Sequence, residues 1–541
     1  MAIRSAPALR PPRLRRGVVP DLPAIRLGRL TDGPLLVILF LVIYEVTAFL
    51  LTFRFDFYFG DAVSRTAQAA MVVVSRDPHL GAIGLVWTPL PSLLQLPVIW
   101  LFEQVGVPLQ FAGPSVLAVL GALNVGLIYQ IGREFGAGAG LSVYGALIYG
   151  IQPMVWIYAS NGMSEVLFAT CLALIVLYFM RWVRKPSVSN LAGASLALAA
   201  AWWTRYEAIP IAVGFAFAIV LIVLERGGEA DRLEGFLLNG LAPFAYSVFL
   251  WLFFNWLLVG NPLYFWNGPY SNAAQTVGLR SSTGLMAGMY HSVVGSLFFD
   301  GVRTTTMFLA IWPILLFCVW LIVRRRDVGL LGLVVTLASL QVFYLYQIYA
   351  GELFPWYRYW IMIPLFGVIL AFYVCGHPRC PRVLRNGWLI RGLFAVSWLV
   401  SVASMLVPSI AVNENPYWRY LTQGPAAVQT VVTFGDDRVV ADYLSRLPRG
   451  LILMDSSAGE RVFILARDPA RFVLNSDRDY EQILNDPTRY VRYVLVARPG
   501  AVSYDTVLNR YPTLYDRGAS WARLIQTFPG PAAWKLYEVT G

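Results

Sequence analysis

The chain has 541 residues, of which 57% are hydrophobic and 13% charged, against roughly 25% charged in an ordinary soluble domain. A soluble protein of this length has no means of hiding so much apolar surface, because cores stop growing and chains split into domains. The net charge of +11 does not form a nucleic-acid footprint: 20 of the 42 Lys+Arg fall in the N-terminal arm and alternate loops, 7 in the opposite loops, and 15 in a tail that also holds 14 acids.

In chain order, residues 1–33 form a basic arm with seven arginines and no compact apolar stretch, which reads as a cytoplasmic anchor rather than a cleaved signal peptide. Apolar runs follow, of about the twenty residues that cross a hydrocarbon layer. Hydropathy places eleven spans: 34–53, 114–132, 139–158, 163–182, 191–203, 208–224, 236–259, 306–323, 328–349, 360–374 and 390–407. The loops carrying Arg133, Arg181, Arg184, Lys185, Arg226, Arg232, Arg324, Arg325, Arg326, Arg379, Arg382, Arg385 and Arg391 then share the side of the arm. The positive-inside rule makes that side cytoplasmic. A twelfth apolar segment, 90–106, would reverse this parity if it crossed, and it holds Pro91, Pro97 and Glu103. It is expected to lie along the outer interface.

The expected architecture is an all-α polytopic membrane bundle over 34–411, with a first external loop at 54–113 and a second at 260–303. Residues 412–541 alternate apolar strands (451–454, 471–474, 493–496, 523–527, 534–539) with helices at 441–447 and 479–484. They predict a small extracytoplasmic α/β domain. The four cysteines imply no disulfide framework. Cys375-Gly-His-Pro-Arg-Cys380 has too few ligands for a zinc site and reads as a cytoplasmic turn.

Ionisable groups beside a membrane are the informative ones. Asp61, Arg65 and Gln68 share a helix face by spacing; Asp61 either caps the turn and pairs with Arg65, or does chemistry. Arg205 lies in the hairpin Trp202-Trp-Thr-Arg-Tyr-Glu207, where it either bridges to Glu207 or offers its planar fork to phosphate oxygens. Arg358 and Tyr359 stand at the mouth of a late span, and Glu165 at the outer start of another. Glu45, mid-span, is expected to make a hydrogen bond within the bundle.

Taken together these positions resemble the GT-C superfamily, in particular the branch of protein O-mannosyltransferases and lipid A aminoarabinose transferases. Asp61 falls where that family's acidic motif begins, Trp87-Thr-Pro-Leu-Pro91 looks like its Pro-Leu signature, and Arg205 and Arg358-Tyr359 with Pro364 match its later basic positions. The resemblance covers about residues 34–410, and departs where Asp61-Ala62 replaces an Asp-Glu pair.

The resemblance implies a glycosyltransferase of the cytoplasmic membrane that moves a sugar from a polyprenyl-phosphate donor to an extracytoplasmic acceptor, with inversion. Asp61 and Glu165 are its expected catalytic acids, and Arg65, Arg205, Glu207, Arg358 and Tyr359 line the substrate. Its partners are the bilayer, the lipid-linked donor and the acceptor, with no nucleic acid; no metal site is assigned and divalent-metal dependence stays open. The competing classes are a transporter or flippase, whose charges would gather at broken helices deep in the membrane, and a non-catalytic envelope-assembly protein.

Overall fold

The computed structural model describes residues 32–276, 288–381, 384, 387–424, 433–502 and 504–540. The basic arm up to residue 31, and Arg280, Arg382 and Arg385, lie outside the described residues.

Among the described residues, eight helices are long and apolar enough to cross a membrane: Asp32–Arg54, Leu109–Glu134, Glu165–Arg184, Ala208–Glu225, Ala230–Val259, Val328–Ala350, Tyr357–Gly376 and Trp388–Met405. Two bent pairs bring the number to ten if each is one span. The chain is a multi-pass membrane protein.

The eleven expected spans differ from this set at three places, two of them with a local cause. Residues 139–158 break between Ala139–Gly150 and Pro153–Ser160 with a 64° bend. Pro153 has no amide to continue the ladder, and the Gln152 side chain accepts the Val155 N–H to start a new helix. The expected span 306–323 instead turns by 103° between Val293–Met307 and Ile311–Arg325, and the Ser397 hydroxyl takes the Ala310 N–H freed at the corner. Residues 191–203 fall on a shorter apolar helix, Val188–Trp202, with Trp203 just past its end. The leftover apolar segment 90–106 likewise falls on a shorter apolar helix region, Leu90–Val105.

Packing separates centre from edge. The Tyr357–Gly376 helix is enclosed on every side, whereas in the most apolar stretch of Ala230–Val259 only 17% of the residues are buried and most side chains turn outward. An apolar face with no protein against it requires lipid.

The C-terminal unit is a five-stranded sheet in the order β2-β1-β3-β5-β4, with β1 Ile452–Leu453, β2 Phe472–Val473, β3 Tyr493–Val496, β4 Ala522–Thr527 and β5 Lys535–Val539. All five expected strands are present; β1 pairs in parallel with β2 and β3, and β5 runs antiparallel to β3 and β4. The helix Ser456–Leu465 between β1 and β2 was not anticipated.

This unit shares a core with the first loop. Val63, Ala67, Ala70 and Met71 of the Gly60–Val74 helix pack with Ile99 and with Val440, Val462, Phe463 and Leu474. Polar contacts ring that core. Arg76 binds Asp477 and Asp479, Asp77 binds Arg478, and Arg438 reaches Asp56 at 2.7 Å. The juxtamembrane helix is thus held between the bundle and the sheet.

Candidate active site

Four stretches of chain converge at the helix mouths beside the C-terminal unit. The Gly60–Val74 helix opens with Asp61 in its first turn, where the positive end of the helix favours a carboxylate. The turn Asn161-Gly-Met-Ser164 precedes the Glu165–Arg184 helix: Asn161 Oδ1 accepts the Met163 N–H, and Gly162 adopts φ +84°. A Cβ at Gly162 would press on Ala62 and Pro114, so glycine there lets Glu165 approach the start of the Asp61 helix.

Arg205 sits in the hairpin between Val188–Trp202 and Ala208–Glu225. The Trp87-Thr-Pro-Leu stretch pins that hairpin: Thr88 Oγ1 donates to the Thr204 carbonyl at 2.6 Å and Leu90 N–H to the Trp203 carbonyl at 2.8 Å. Arg358 lies on a single 3-10 turn, Tyr357–Trp360, that leads into the enclosed Met362–Gly376 helix.

The side chains form one continuous chain of charge. Arg358 Nη2 lies 2.9 Å from Asp61 Oδ2, and its Nε is 3.7 Å from Glu165 Oε1. Arg205 Nη1 reaches the same Glu165 oxygen at 2.8 Å, while its Nη2 binds Glu207 Oε1 at 2.6 Å. Tyr344 donates to Glu207 Oε1 at 3.5 Å. Aromatic rings frame the cations, with Trp356 4.2 Å and Tyr359 5.7 Å from the Arg358 guanidinium.

Each sequence alternative can now be placed. The bridge from Arg205 to Glu207 exists, but it is one half of a longer network through Glu165. Asp61 pairs across the bundle with Arg358, and among the described residues no ion pair joins it to Arg65. Arg65 is buried, donates to the Thr88 carbonyl at 3.0 Å, and lies 5.0 Å over the Trp87 ring. Gln68 packs against Gly84 rather than joining the network. Glu45 accepts from Ser115 at 2.9 Å within the bundle, as expected of it.

Environment decides what these groups can do. Burial works against charge on Arg205, but Glu207 and Glu165 overcome it and hold its pKa well above the ordinary value. Burial would likewise raise Glu207, yet the Arg205 guanidinium keeps it below the usual carboxylate range. Arg65 is pushed down to about 10 by burial, against the pull of Asp61 and Glu165, and stays cationic at neutral pH.

Two participants were not visible in the sequence. Glu414, in the segment after the last span, is buried; its Oε1 accepts the Arg358 N–H and the Tyr158 hydroxyl, each at 3.0 Å. Burial raises its pKa, with Tyr158 and Arg358 opposing. Its only sequence signal was a polar cluster, Asn413-Glu-Asn-Pro, close after an apolar run. Tyr344, inside a featureless apolar helix, carried no signal at all. Among the described residues no group of three or more His, Cys, Asp or Glu is placed to hold a metal ion.

Residues 92–251 match the family described as Dolichyl-phosphate-mannose-protein mannosyltransferase. In three dimensions the chain is similar to ArnT from Cupriavidus metallidurans bound to undecaprenyl phosphate: TM-score 0.57, 15% identity, covering 93% of this chain and 97% of that one. The apo state of the same protein gives a TM-score of 0.54 at 15% identity and the same coverage. The archaeal oligosaccharyltransferase AglB from Archaeoglobus fulgidus, in complex with an inhibitory peptide and a dolichol-phosphate, gives 0.40 at 11% identity, covering 93% of this chain and 74% of that one. No curated protein matches the sequence. The all-α membrane bundle with a small C-terminal α/β unit expected from the sequence is thus the fold of the ArnT structures.

Proposed function

We propose that the chain is a membrane glycosyltransferase that moves a sugar from a polyprenyl-phosphate donor to an acceptor hydroxyl, with Asp61 as the base. One observation carries the assignment of roles. The Asp61 side chain is 29% exposed, against 7% for Arg358, 14% for Arg205 and 2% for Glu165. Asp61 is therefore the member of the network that an acceptor arriving from solvent meets first, while its partners are set behind it.

The chemistry asks for this arrangement. The acceptor oxygen attacks the anomeric carbon, the bond from that carbon to the phosphate oxygen breaks, and the acceptor's proton passes to the Asp61 carboxylate. The polyprenyl phosphate leaves with one more negative charge than it had in the donor, so the leaving side needs cations more than an acid. Glycoside hydrolysis differs in needing a protonated carboxyl at the leaving oxygen. A single displacement inverts the anomeric centre.

Arg65, Arg205 and Arg358 supply the positive charge. Without substrate, Asp61, Glu165 and Glu207 neutralise Arg358 and Arg205. Arg65, which among the described residues makes a side-chain hydrogen bond to a carbonyl and no ion pair, is the cation most open to a new anion. Glu165 is too deep to meet the acceptor; it holds the two guanidiniums side by side. Tyr359 and Trp356 offer ring faces next to the phosphate-binding cations. The positive-inside reading places this face, and the C-terminal α/β unit of 412–541 docked on it, outside the cytoplasmic membrane. The family match over residues 92–251 and the ArnT-like fold support the reading.

The test is sugar transfer from a polyprenyl-phosphate donor by the full-length protein in lipid, against envelope acceptor fractions. Asp61→Asn, correctly inserted, is expected to lose on the order of 10²–10⁴ of the rate. Unchanged transfer by this variant overturns the base assignment, and no transfer by the wild type to any acceptor overturns the enzyme reading.

A further inference from the structure

The C-terminal unit touches the Asp61 helix at one hydrogen bond whose direction depends on a proton. Glu460 lies on the Ser456–Leu465 helix, and its Oε1 is 2.9 Å from Ser64 Oγ. Ser64 stands one turn beyond Asp61, and the same Oγ is 3.1 Å from the Gly60 carbonyl oxygen.

A serine hydroxyl has one proton, and a carbonyl oxygen only accepts. When Ser64 donates to Gly60, its contact with Glu460 is a hydrogen bond only if the Glu460 carboxyl carries a proton and donates it. When Glu460 is ionised it takes the Ser64 proton, and the Gly60 carbonyl loses that donor. Both short distances hold together as bonds in the neutral form of Glu460.

The surroundings favour that form. Facing Glu460 are Asp61 and Ser64 on the juxtamembrane helix, Tyr58 just before it, and Asp437 and Arg461 on the C-terminal unit. The one guanidinium among them is committed elsewhere: Arg461 Nε lies 2.6 Å from Asp437 Oδ2, with its charge 5.4 Å over the Tyr58 ring. Burial, reinforced by Asp61 and Asp437, raises Glu460 to about 7 against the pull of Ser64 and Arg461.

We propose that Glu460 is a positioning residue for the transfer reaction: it docks as a neutral carboxylic acid donating to Ser64, and on losing its proton it sets a second negative charge beside Asp61 and loosens the first turn of the Gly60–Val74 helix. The C-terminal unit thereby sets the placement of the catalytic helix and makes it sensitive to pH on its own side of the membrane. The inference rests on the role given to Asp61 above. A carboxyl whose folded pKa is raised contributes docking stability that is complete below its ordinary value and lost as the pH climbs through about 7.

Amide hydrogen exchange of the full-length protein in lipid nanodiscs at pH 6 and pH 8, corrected for intrinsic exchange, reads the contact without any assay of transfer. In the wild type, exchange over residues 60–68 is expected to rise by about threefold or more at pH 8. In Glu460→Gln, which still donates to Ser64 and has no proton to lose, no rise is expected. A wild type without the rise, or a variant that shares it, overturns the proposal. In the transfer assay Glu460→Gln is expected to hold its rate at alkaline pH where the wild type declines; superimposable alkaline limbs would count equally against the idea. Absence of transfer in both proteins bears on the enzyme reading, and the exchange result still decides the contact.

Discussion

Asp61 and Arg358, from the first loop and the last enclosed helix, meet at 2.9 Å between Oδ2 and Nη2. The pair closes a circuit, because Arg358 also faces Glu165, and Glu165 in turn holds Arg205. Elements far apart in sequence thus share one electrostatic unit at one face of the bundle. Three expectations follow from the way that unit is built, and a fourth from how the C-terminal unit docks beside it.

Glu165 is the shared counter-ion of the buried Arg358 and the half-buried Arg205. Glu165→Ala leaves Arg205 with Glu207 and Arg358 with Asp61, so its cost should fall near the lower end of the about 3–5 kcal/mol seen when a buried pair is broken. A fall in the thermal midpoint in detergent measures it. Because both arginines lose their spacing, KM for the donor is expected to rise more than kcat falls.

Thr88 acts at one remove. Its hydroxyl donates to the Thr204 carbonyl, and its own carbonyl accepts from Arg65, so one residue ties both cations to the Pro-Leu stretch. Thr88→Val strands the Thr204 carbonyl and should cost about 1–3 kcal/mol. Weaker donor binding with Asp61 unaltered is the expected kinetic signature, read from KM.

Docking of the C-terminal unit is predicted to loosen in acid and in salt as well as at the alkaline end. Burial raises Asp477 beside Arg76, but Arg478 holds Asp77, and Arg76 holds Asp479, below the usual carboxylate range. Such groups contribute stability above their ordinary pKa that is lost as the pH falls through the depressed folded value. The partners are partly exposed, so screening by salt should weaken them further. Limited proteolysis of the segment joining the bundle to the sheet, at neutral and acid pH and at low and high salt, checks both effects.

Much of this was legible in the sequence, for identifiable reasons. Span positions follow from apolar runs, and the run at 90–106 was set apart from them by Pro91, Pro97 and charge parity. Strands β1 to β5 announced themselves by apolar runs between turn residues. Asp61, Glu165, Arg205 and Arg358 stood out because charge beside lipid is costly. What stayed hidden needed three dimensions. A bend such as that at Phe308–Ala310 depends on Ser397, a partner on a distant helix. Pairing of Asp61 with Arg358 rather than with its helix neighbour Arg65 depends on how the bundle closes. Glu414 and Glu460 looked like ordinary acids of a soluble tail, and acquire their environment only when that tail folds back over the helix mouths.

The account stands or falls on whether Arg65, Arg205 and Arg358 form one lipid-phosphate site. Saturation binding of a polyprenyl phosphate to the purified protein in nanodiscs measures this directly. Arg205→Ala and Arg358→Ala are each expected to weaken binding by about tenfold or more, since a charge-assisted bond to phosphate contributes roughly 1.5–3 kcal/mol. Arg205→Lys, which keeps the charge and loses the fork, should fall in between, and Glu45→Gln, remote from the network, should bind as the wild type does. Equal binding by all four variants would contradict the account.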